Sequence, residues 1–414
     1  MLDINKIREQ KEEVKKALLK RMKNVDLDTV LDLDDKRKKI IQEVDELKSE
    51  RNKYSKTKPS EEIIKKMREL GEKIKKLDEA LEKTEKEFND KLSELPNIPA
   101  DDVMPGGKEN NKVISTYKEK PKFDFAIKDH VEIAKSCGLI DYERAVKMSG
   151  SGFWAYTGDG ALLEWALLNY FIDFHRENKY TFIIPPFMLN EASAYASGHL
   201  PKFREDLFWV EDGLCLNATS EMMIDNYHRD EILEEKKLPI KYFAYSACFR
   251  REAGAYRTEE RGMIRGHQFN KIEMFQFTSP EKSWEAFEEL KDNAEKLMEG
   301  LDLHFRTVQL AASDASASMS KTVDIEVWIP SMNNYKEVSS VSNALDYQAR
   351  RGNIRFKNNK TGKNEFVHTL NASGLATSRL FPAIIEQFQQ KDGSIKIPKV
   401  LQQYLPFKKI SLIK

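Results

Sequence analysis

The spacing of apolar residues between Ile63 and Phe88 constrains this chain more than any other feature. Ile63, Met67, Leu70, Ile74, Leu77, Leu81, Thr84 and Phe88 follow one another in alternating steps of four and three. Such steps keep one stripe facing the same way along a helix, so this is an a/d heptad seam sustained over more than three heptads. Ile40, Val44, Leu47, Arg51 and Tyr54 carry the same rhythm with one polar break, and between Asp3 and Leu95 the sole glycine is Gly71 and the sole proline Pro59. Proline cannot continue a helix interior. Ser60 after it is a suitable N-cap, and Glu61 and Glu62 suit the positive start of the next helix. The expectation is a pair of long antiparallel helices zipped through their seams, an arm at about 28–95. At ~1.5 Å rise per residue, the second helix reaches on the order of 50 Å. The stretch Leu95-Pro96-Asn97-Ile98-Pro99 closes the arm, and Met104-Pro105-Gly106-Gly107 reads as a linker. The expected domains are 1–104 and 105–414.

The remaining residues are mixed. Helices are expected at 161–178, 281–299 and 375–390, and strands at 180–184 (stopped by Pro185-Pro186), 243–249, 268–278, 324–329 and 366–370. Strict strand–helix alternation is absent, which favours an antiparallel sheet with packed helices, an α+β fold, over a parallel one. The 68 basic and 68 acidic residues cancel, so only a local patch can recruit nucleic acid. One such patch lies in the outer arm. Residues 48–76 hold eleven Lys and Arg against five Glu, a difference of +6. Cys137, Cys215 and Cys248 form no CxxC pair, so neither a disulfide framework nor a cysteine-rich zinc site is expected, and a reducing compartment fits. No stretch approaches the ~18 apolar residues of a membrane span, and MLDINKIREQ has no apolar core like that of a signal peptide. The expectation is a cytoplasmic protein without membrane association.

Chemistry concentrates in four passages. In FRREAGAYRTEERGMIRGHQF (249–269), strand alternation would point Arg250 and Glu252 together and Arg251 away, while Phe269 and Glu273 share a face of the next strand. Arginines suit phosphate oxygens, an aromatic ring suits a nucleobase, and the loop adds Arg257, Arg261 and Arg265. Spacing alone serves a solvated, salt-bridged hairpin equally well. In VHTLNASGLATSRLFPAIIEQFQQKDGSIKIPKVLQQYL (367–405), Arg379 sits near a helix start that favours anions, but no P-loop or dinucleotide fingerprint occurs. In DIEVWIPSMNNYKEVSSVSN (324–343), Glu337 with Ser339 and Ser340 offers hard oxygen ligands for Mg²⁺. Thr219-Ser220-Glu221 reads most simply as an N-cap before a helix.

Taken together, these passages resemble the seryl-tRNA synthetase family along nearly the whole chain. The 249–269 passage is similar to its motif 2 and the 367–405 passage to its motif 3. NEASAYASGHLPKFREDLF (190–208) and PNIPADDV (96–103) are similar to the same family, behind a coiled-coil arm like the family's own. The resemblance implies a class II fold of the bacterial-like, zinc-free type, using ATP and Mg²⁺. It implies that Arg250, Arg251, Glu252, Arg265, Phe269, Glu337, Val338, Ser339, Ser340 and Arg379 bind ATP. Arg250 would meet the α-phosphate, Arg265 and Arg379 the γ-phosphate, Phe269 the adenine, and Glu337 and Ser340 the Mg²⁺. Thr219, Ser220 and Glu221 would hold serine's ammonium end, with Glu273 and Ser373 at serine. Lys48, Arg51, Lys53, Lys56, Lys58, Lys65, Lys66 and Arg68 of the arm would grip tRNA(Ser), and tRNA(Sec) as the family commonly does. The 161–186 passage resembles motif 1, which implies a homodimer.

Some details depart from the family. ASDASAS (312–318), Ala372 and Ser378 stand where members often carry glycine, and Pro382 falls inside an expected helix. Glu337 and Ser340, three apart, need a bulge or a strand end between them to share a face. Two other functions stay open on sequence alone: a related ligase that loads a carrier protein, and a catalytically dead RNA-binding scaffold. The arm argues against the first. The intact Arg250, Glu273 and Arg379 argue against the second.

Overall fold

A computed structural model describes the chain except for residues 56–59, 253–261 and 414. It divides into two compact units, Met1–Ile98 and Pro99–Lys414. The division falls six residues before the boundary expected at 104/105, because 99–104 is tied into the second unit. Ala100 N–H donates to Ser320 O at 2.9 Å, and Lys321 Nζ meets Asp102 at 2.5 Å.

In the first unit, α1 (Asp28–Tyr54) and α2 (Glu61–Glu94) form the expected hairpin. Along α2 the seam residues Ile63, Met67, Leu70, Ile74, Leu77, Leu81, Thr84 and Phe88 are buried or half-buried, whereas Ile64, outside the rhythm, is exposed. The antiparallel register is visible in the cross-helix pairs. Arg37 lies over Phe88 (4.9 Å), Lys48 pairs with Asp78 (3.7 Å), and Lys66 lies over Tyr54 (4.8 Å) and pairs with Glu50 (3.6 Å). Thr84 is tolerated in the seam because its hydroxyl donates to Ala80 O at 2.8 Å. Ser60 caps α2 by accepting from Ile63 N–H. Pro59 lies outside the described residues, as do Lys56 and Lys58.

The second unit is built on an eight-stranded sheet. In chain order its strands are β1 (Lys112–Tyr117), β2 (Thr181–Ile183), β3 (Ile240–Phe249), β4 (Gln268–Thr278), β5 (Phe305–Gln309), β6 (Lys321–Ile329), β7 (Asn334–Leu345) and β8 (His368–Ala376). Their spatial order is β1-β5-β6-β7-β8-β4-β3-β2, antiparallel throughout except for the parallel edge pair β3/β2. The class is α+β, as expected. The sequence reading picked out neither β1 nor β5, and it cut β8 to 366–370.

Helices α3 (Gly158–Glu177), α4 (Ser283–Gly300) and α5 (Thr377–Gln387) pack on the sheet. Strand alternation then sorts each strand into two faces. Val323, Ile325 and Val327 of β6, with Ile272 and Met274 of β4, enter one core with Leu167, Phe171, Leu290, Leu297, Phe381 and Ile385 of the helices. Each large side chain so buried contributes roughly 1.5–3 kcal/mol. The intervening residues, Asp324 and Glu326 on β6 and Phe269, Lys271 and Glu273 on β4, are left for the opposite face. The candidate site residues of these two strands thus share that face.

Pro382 does lie inside α5 and is buried, contrary to the expectation that a proline fits only near a helix start. Its buried neighbours Leu380, Phe381, Ala383, Ile384 and Ile385 hold the helix through the missing hydrogen bond. No residue of 312–318, nor Ala372 or Ser378, has a positive φ, so none of these positions requires glycine. Gly374 does. A Cβ there would sit 2.2 Å from His175 Nε2, whose ring bonds the Gly374 carbonyl at 3.1 Å.

Candidate active site

The cleft on the polar face is lined by Arg250, Glu252, Arg265, Phe269, Lys271, Glu337, Val338, Ser373 and Arg379, among others. Arg250 and Glu252 do meet here, but not through strand alternation. β3 ends at Phe249, and Glu252 turns into the cleft with a left-handed φ of 52°, a conformation that costs of order 1 kcal/mol or more for a non-glycine residue. Glu252 pairs there with Arg265. Arg251 points elsewhere, as expected, and its guanidinium lies 5.8 Å from the Phe208 ring, outside the lining. Arg250 donates through Nε to Ala218 O at 3.2 Å and lies over Phe269 at 5.2 Å, which fixes its plane beside the ring. Arg257 and Arg261 lie outside the described residues. Arg379, at the start of α5, donates to Glu337 O at 2.9 Å and to its carboxylate at 3.4 Å.

Behind this lining lies a smaller polar cluster. Lys271 pairs with Glu273 and donates to Thr219 Oγ1 at 2.6 Å. Thr219 in turn donates to Glu273 at 3.4 Å. Ser373 is paired in register with Glu273 across β8 and β4. Glu221 is buried and accepts from Gln348 at 2.7 Å. Burial first, then the nearby Glu273 charge, push its pKa up to about 8. Ser220 does not cap the helix Glu221–Ile224. Its hydroxyl is spent on Ser246 at 2.7 Å, and Thr219 Oγ1 accepts from Glu221 N–H instead. Lys271 was missed in the sequence reading. The signal was available, since alternation from Phe269 to Glu273 passes through 271 on the same face.

The Glu337–Ser340 conflict resolves as a bulge. Ser339 pairs with Ile325 but Glu337 with Glu326, leaving Val338 as the extra residue. Ser340 pairs with Asp324, and residues 324 and 326 share a face, so Glu337 and Ser340 share it too. Ser339 faces away, buried, and donates to Ser373 O at 2.6 Å. Asp324, also missed, is buried, with Glu337 beside it and Ser340 opposite it in register. Burial and then Glu337 raise its pKa well above the carboxylate range, and its Oδ1 has no hydrogen-bond partner. Crowded carboxylates, a hydroxyl and an orphaned acidic oxygen fit a hard divalent cation. Among the described residues no three Asp, Glu, His or Cys side chains converge on a metal-sized gap, so this donor set suits Mg²⁺ shared with a phosphate ligand rather than a cage for a structural metal.

Comparison with known proteins finds relatives along the whole chain. The seryl-tRNA synthetase N-terminal domain model matches residues 1–99, and the model of the tRNA synthetase class II core domain (G, H, P, S and T) matches 208–388. The serine–tRNA ligase 2 of Clostridium acetobutylicum is 55% identical over 98% of this chain and 99% of its own length. The serine–tRNA ligase of Bacillus subtilis is 46% identical, covering 98% of each. The crystal structure of seryl-tRNA synthetase from Pyrococcus horikoshii complexed with ATP superposes with a TM-score of 0.91 at 35% identity, covering 100% of both chains.

Proposed function

The chain belongs to the seryl-tRNA synthetase family, ATP-using class II ligases that join serine to tRNA(Ser), and from that premise we propose how its own residues carry the reaction. The observation that carries the reading is the cleft itself. An arginine–phenylalanine pair, two further arginines and a serine-sized polar cluster all open onto one face of one sheet.

In the first step serine's carboxylate attacks the α-phosphate of ATP and pyrophosphate leaves. The nucleophile arrives already ionised, so no side chain need take a proton from it. Arg250 meets the charge developing on the α-phosphate, where preorganised donors are worth most. Arg265 and Arg379 receive the outer phosphates, exchanging their present partners Glu252 and Glu337 for phosphate oxygens. Phe269 stacks the base, and the Val338 bulge lines the nucleotide. Glu337 and Ser340 would hold Mg²⁺, which when bound offsets phosphate charge. We assign Arg251 and Ser339 no direct contact, since one lies against Phe208 and the other is buried.

Thr219 and Glu221 take serine's ammonium, Ser220 bracing their loop through Ser246. Glu273 and Ser373 read its hydroxyl, and Lys271 holds Glu273 in place through their ion pair. Alanine would leave Glu273 without its partner, a loss of several kcal/mol in discrimination. In the second step the terminal ribose hydroxyl of tRNA(Ser), and of tRNA(Sec), attacks the carbonyl of the seryl-adenylate and gives up its proton as the acyl–phosphate bond breaks and AMP leaves.

Serine-dependent pyrophosphate exchange tests this assignment. Wild-type protein should exchange with serine and not alanine, and Glu273→Ala should raise the KM for serine by about a hundredfold or more while the KM for ATP stays within a few-fold. Equal changes for both substrates would remove Glu273 from the serine pocket.

We also propose a homodimer in the cytoplasm. Leu162 and Trp165 on α3 are 46% and 54% exposed, and Ile184 and Met188 just after β2 are 69% and 52% exposed. The first three of these apolar residues lie in the motif 1 passage and Met188 two residues beyond it, beside the sheet's β2 edge, the kind of surface that a two-fold interface covers. The three cysteines are buried free thiols, suited to a reducing compartment. Light scattering at micromolar concentration should give twice the chain mass for active enzyme. A monomeric mass would overturn the dimer.

A further inference from the structure

One buried acidic oxygen is left unexplained by the roles assigned above. Asp324 is 7% exposed, and its Oδ1 has no hydrogen-bond donor. Leaving a buried acceptor unsatisfied costs about 1–3 kcal/mol, more if it is charged. The side chain nevertheless lines the polar cleft beside Glu337 and Ser340. It stands there because of the Val338 bulge, which brings Glu337 opposite Glu326 and Ser340 opposite Asp324 on one face of two paired strands. The adjacent carboxylate, Glu326, is already taken by Arg306 at 2.6 Å. Among the described residues no cation pairs with Asp324 Oδ1. Ser340 stands opposite Asp324 in register. A hydroxyl can offer its lone pair to a cation only if its proton is directed elsewhere, and the Asp324 carboxylate is the acceptor placed to take it.

We propose that Asp324 completes the divalent-cation site, so that Mg²⁺ is held by Asp324, Glu337 and Ser340 together, with phosphate oxygens and water filling the remaining positions. Two carboxylates and a hydroxyl are the modest protein contribution Mg²⁺ takes beside a nucleotide. Asp324 thus does two things: its Oδ1 ligates the cation, and its other oxygen turns Ser340 toward it. The inference rests on the Glu337–Ser340 reading of the nucleotide site.

The test uses full-length protein with Mn²⁺ as the probe and ATP present. Serine is omitted so that nothing turns over. Binding is followed by electron paramagnetic resonance as Mn²⁺ taken up beyond that held by ATP alone. Asp324→Asn, nearly isosteric, should weaken Mn²⁺ uptake about tenfold or more and should melt no lower than wild type in chelator. Glu326→Gln should bind Mn²⁺ as wild type does. In a Ser340→Ala background, Asp324→Asn should still weaken binding further, because the direct ligand is lost in addition to the orienting bond. Wild-type affinity in Asp324→Asn, or no further loss in the Ser340→Ala background, overturns ligation by Asp324. If wild-type protein takes up no Mn²⁺ beyond free ATP, the Glu337–Ser340 reading itself fails, and the inference falls with it.

Discussion

Arg250→Ala should reduce serine-dependent pyrophosphate exchange by roughly two to three orders of magnitude, the loss typical of removing one preorganised donor from a developing charge. The side chain lies against Phe269 and is anchored to Ala218 O, so its guanidinium is held in place before substrate arrives. Most of the loss should fall on kcat, because the contact strengthens as the α-phosphate becomes pentacovalent. The fold should survive. Arg250 is only half-buried, and the variant gives up one hydrogen bond and one cation–π contact, about 1–2 kcal/mol in all. Arg250→Lys should recover little, since a point charge does not replace a planar fork. Wild-type exchange in Arg250→Ala would remove this residue from the chemistry.

The second large effect concerns the arm. Replacing residues 48–76 with a short turn should leave serine-dependent pyrophosphate exchange unchanged and cut tRNA charging by at least about a hundredfold at moderate salt, chiefly through weaker tRNA binding. Lys48, Lys53, Lys65, Lys66 and Arg68 are exposed on the hairpin's outer part and Arg51 is half-buried in its seam, within a segment of net charge +6. Lys48 and Lys66 have acidic partners only at 3.7 and 3.6 Å, loose surface pairs that contribute little to stability and yield readily to phosphates. Such contacts release counterions, so charging by the full-length enzyme should weaken steeply with salt. Double-helical RNA is read by shape and backbone, which suits a lysine-rich helical hairpin. The deletion is clean because the compact unit Pro99–Lys414 contains the cleft. Unimpaired charging by the shortened enzyme would show that another surface reads the tRNA.

The hairpin was legible because its information is local. A heptad step, one proline and one serine cap determine two helices and their pairing without reference to the rest of the chain. The motif passages were legible as composition, and β4 yielded Phe269 and Glu273 from alternation alone. Alternation also contained Lys271, which a search for phosphate and base contacts passed over. It misled at Arg250 and Glu252, where the strand had already ended and a left-handed residue made the turn. The edge strand β1 left little trace, since an edge position needs less apolar patterning, and its neighbour β5 is only five residues long.

The sequence by itself determined the arm, the α+β class and the kinds of side chain available for chemistry, because periodicity, capping and composition act within a few residues of one another. Only the tertiary structure decided which of those side chains meet. The Val338 bulge moves Glu337 onto the face of Ser340, and the pairing of β6 with β7 delivers Asp324 to both. The pairing of β8 with β4 sets Ser373 beside Glu273. Each of these depends on register between strands distant in the chain. A shift of one residue would turn every side chain to the opposite face, and the hydrophobic core beneath the sheet is what fixes that register.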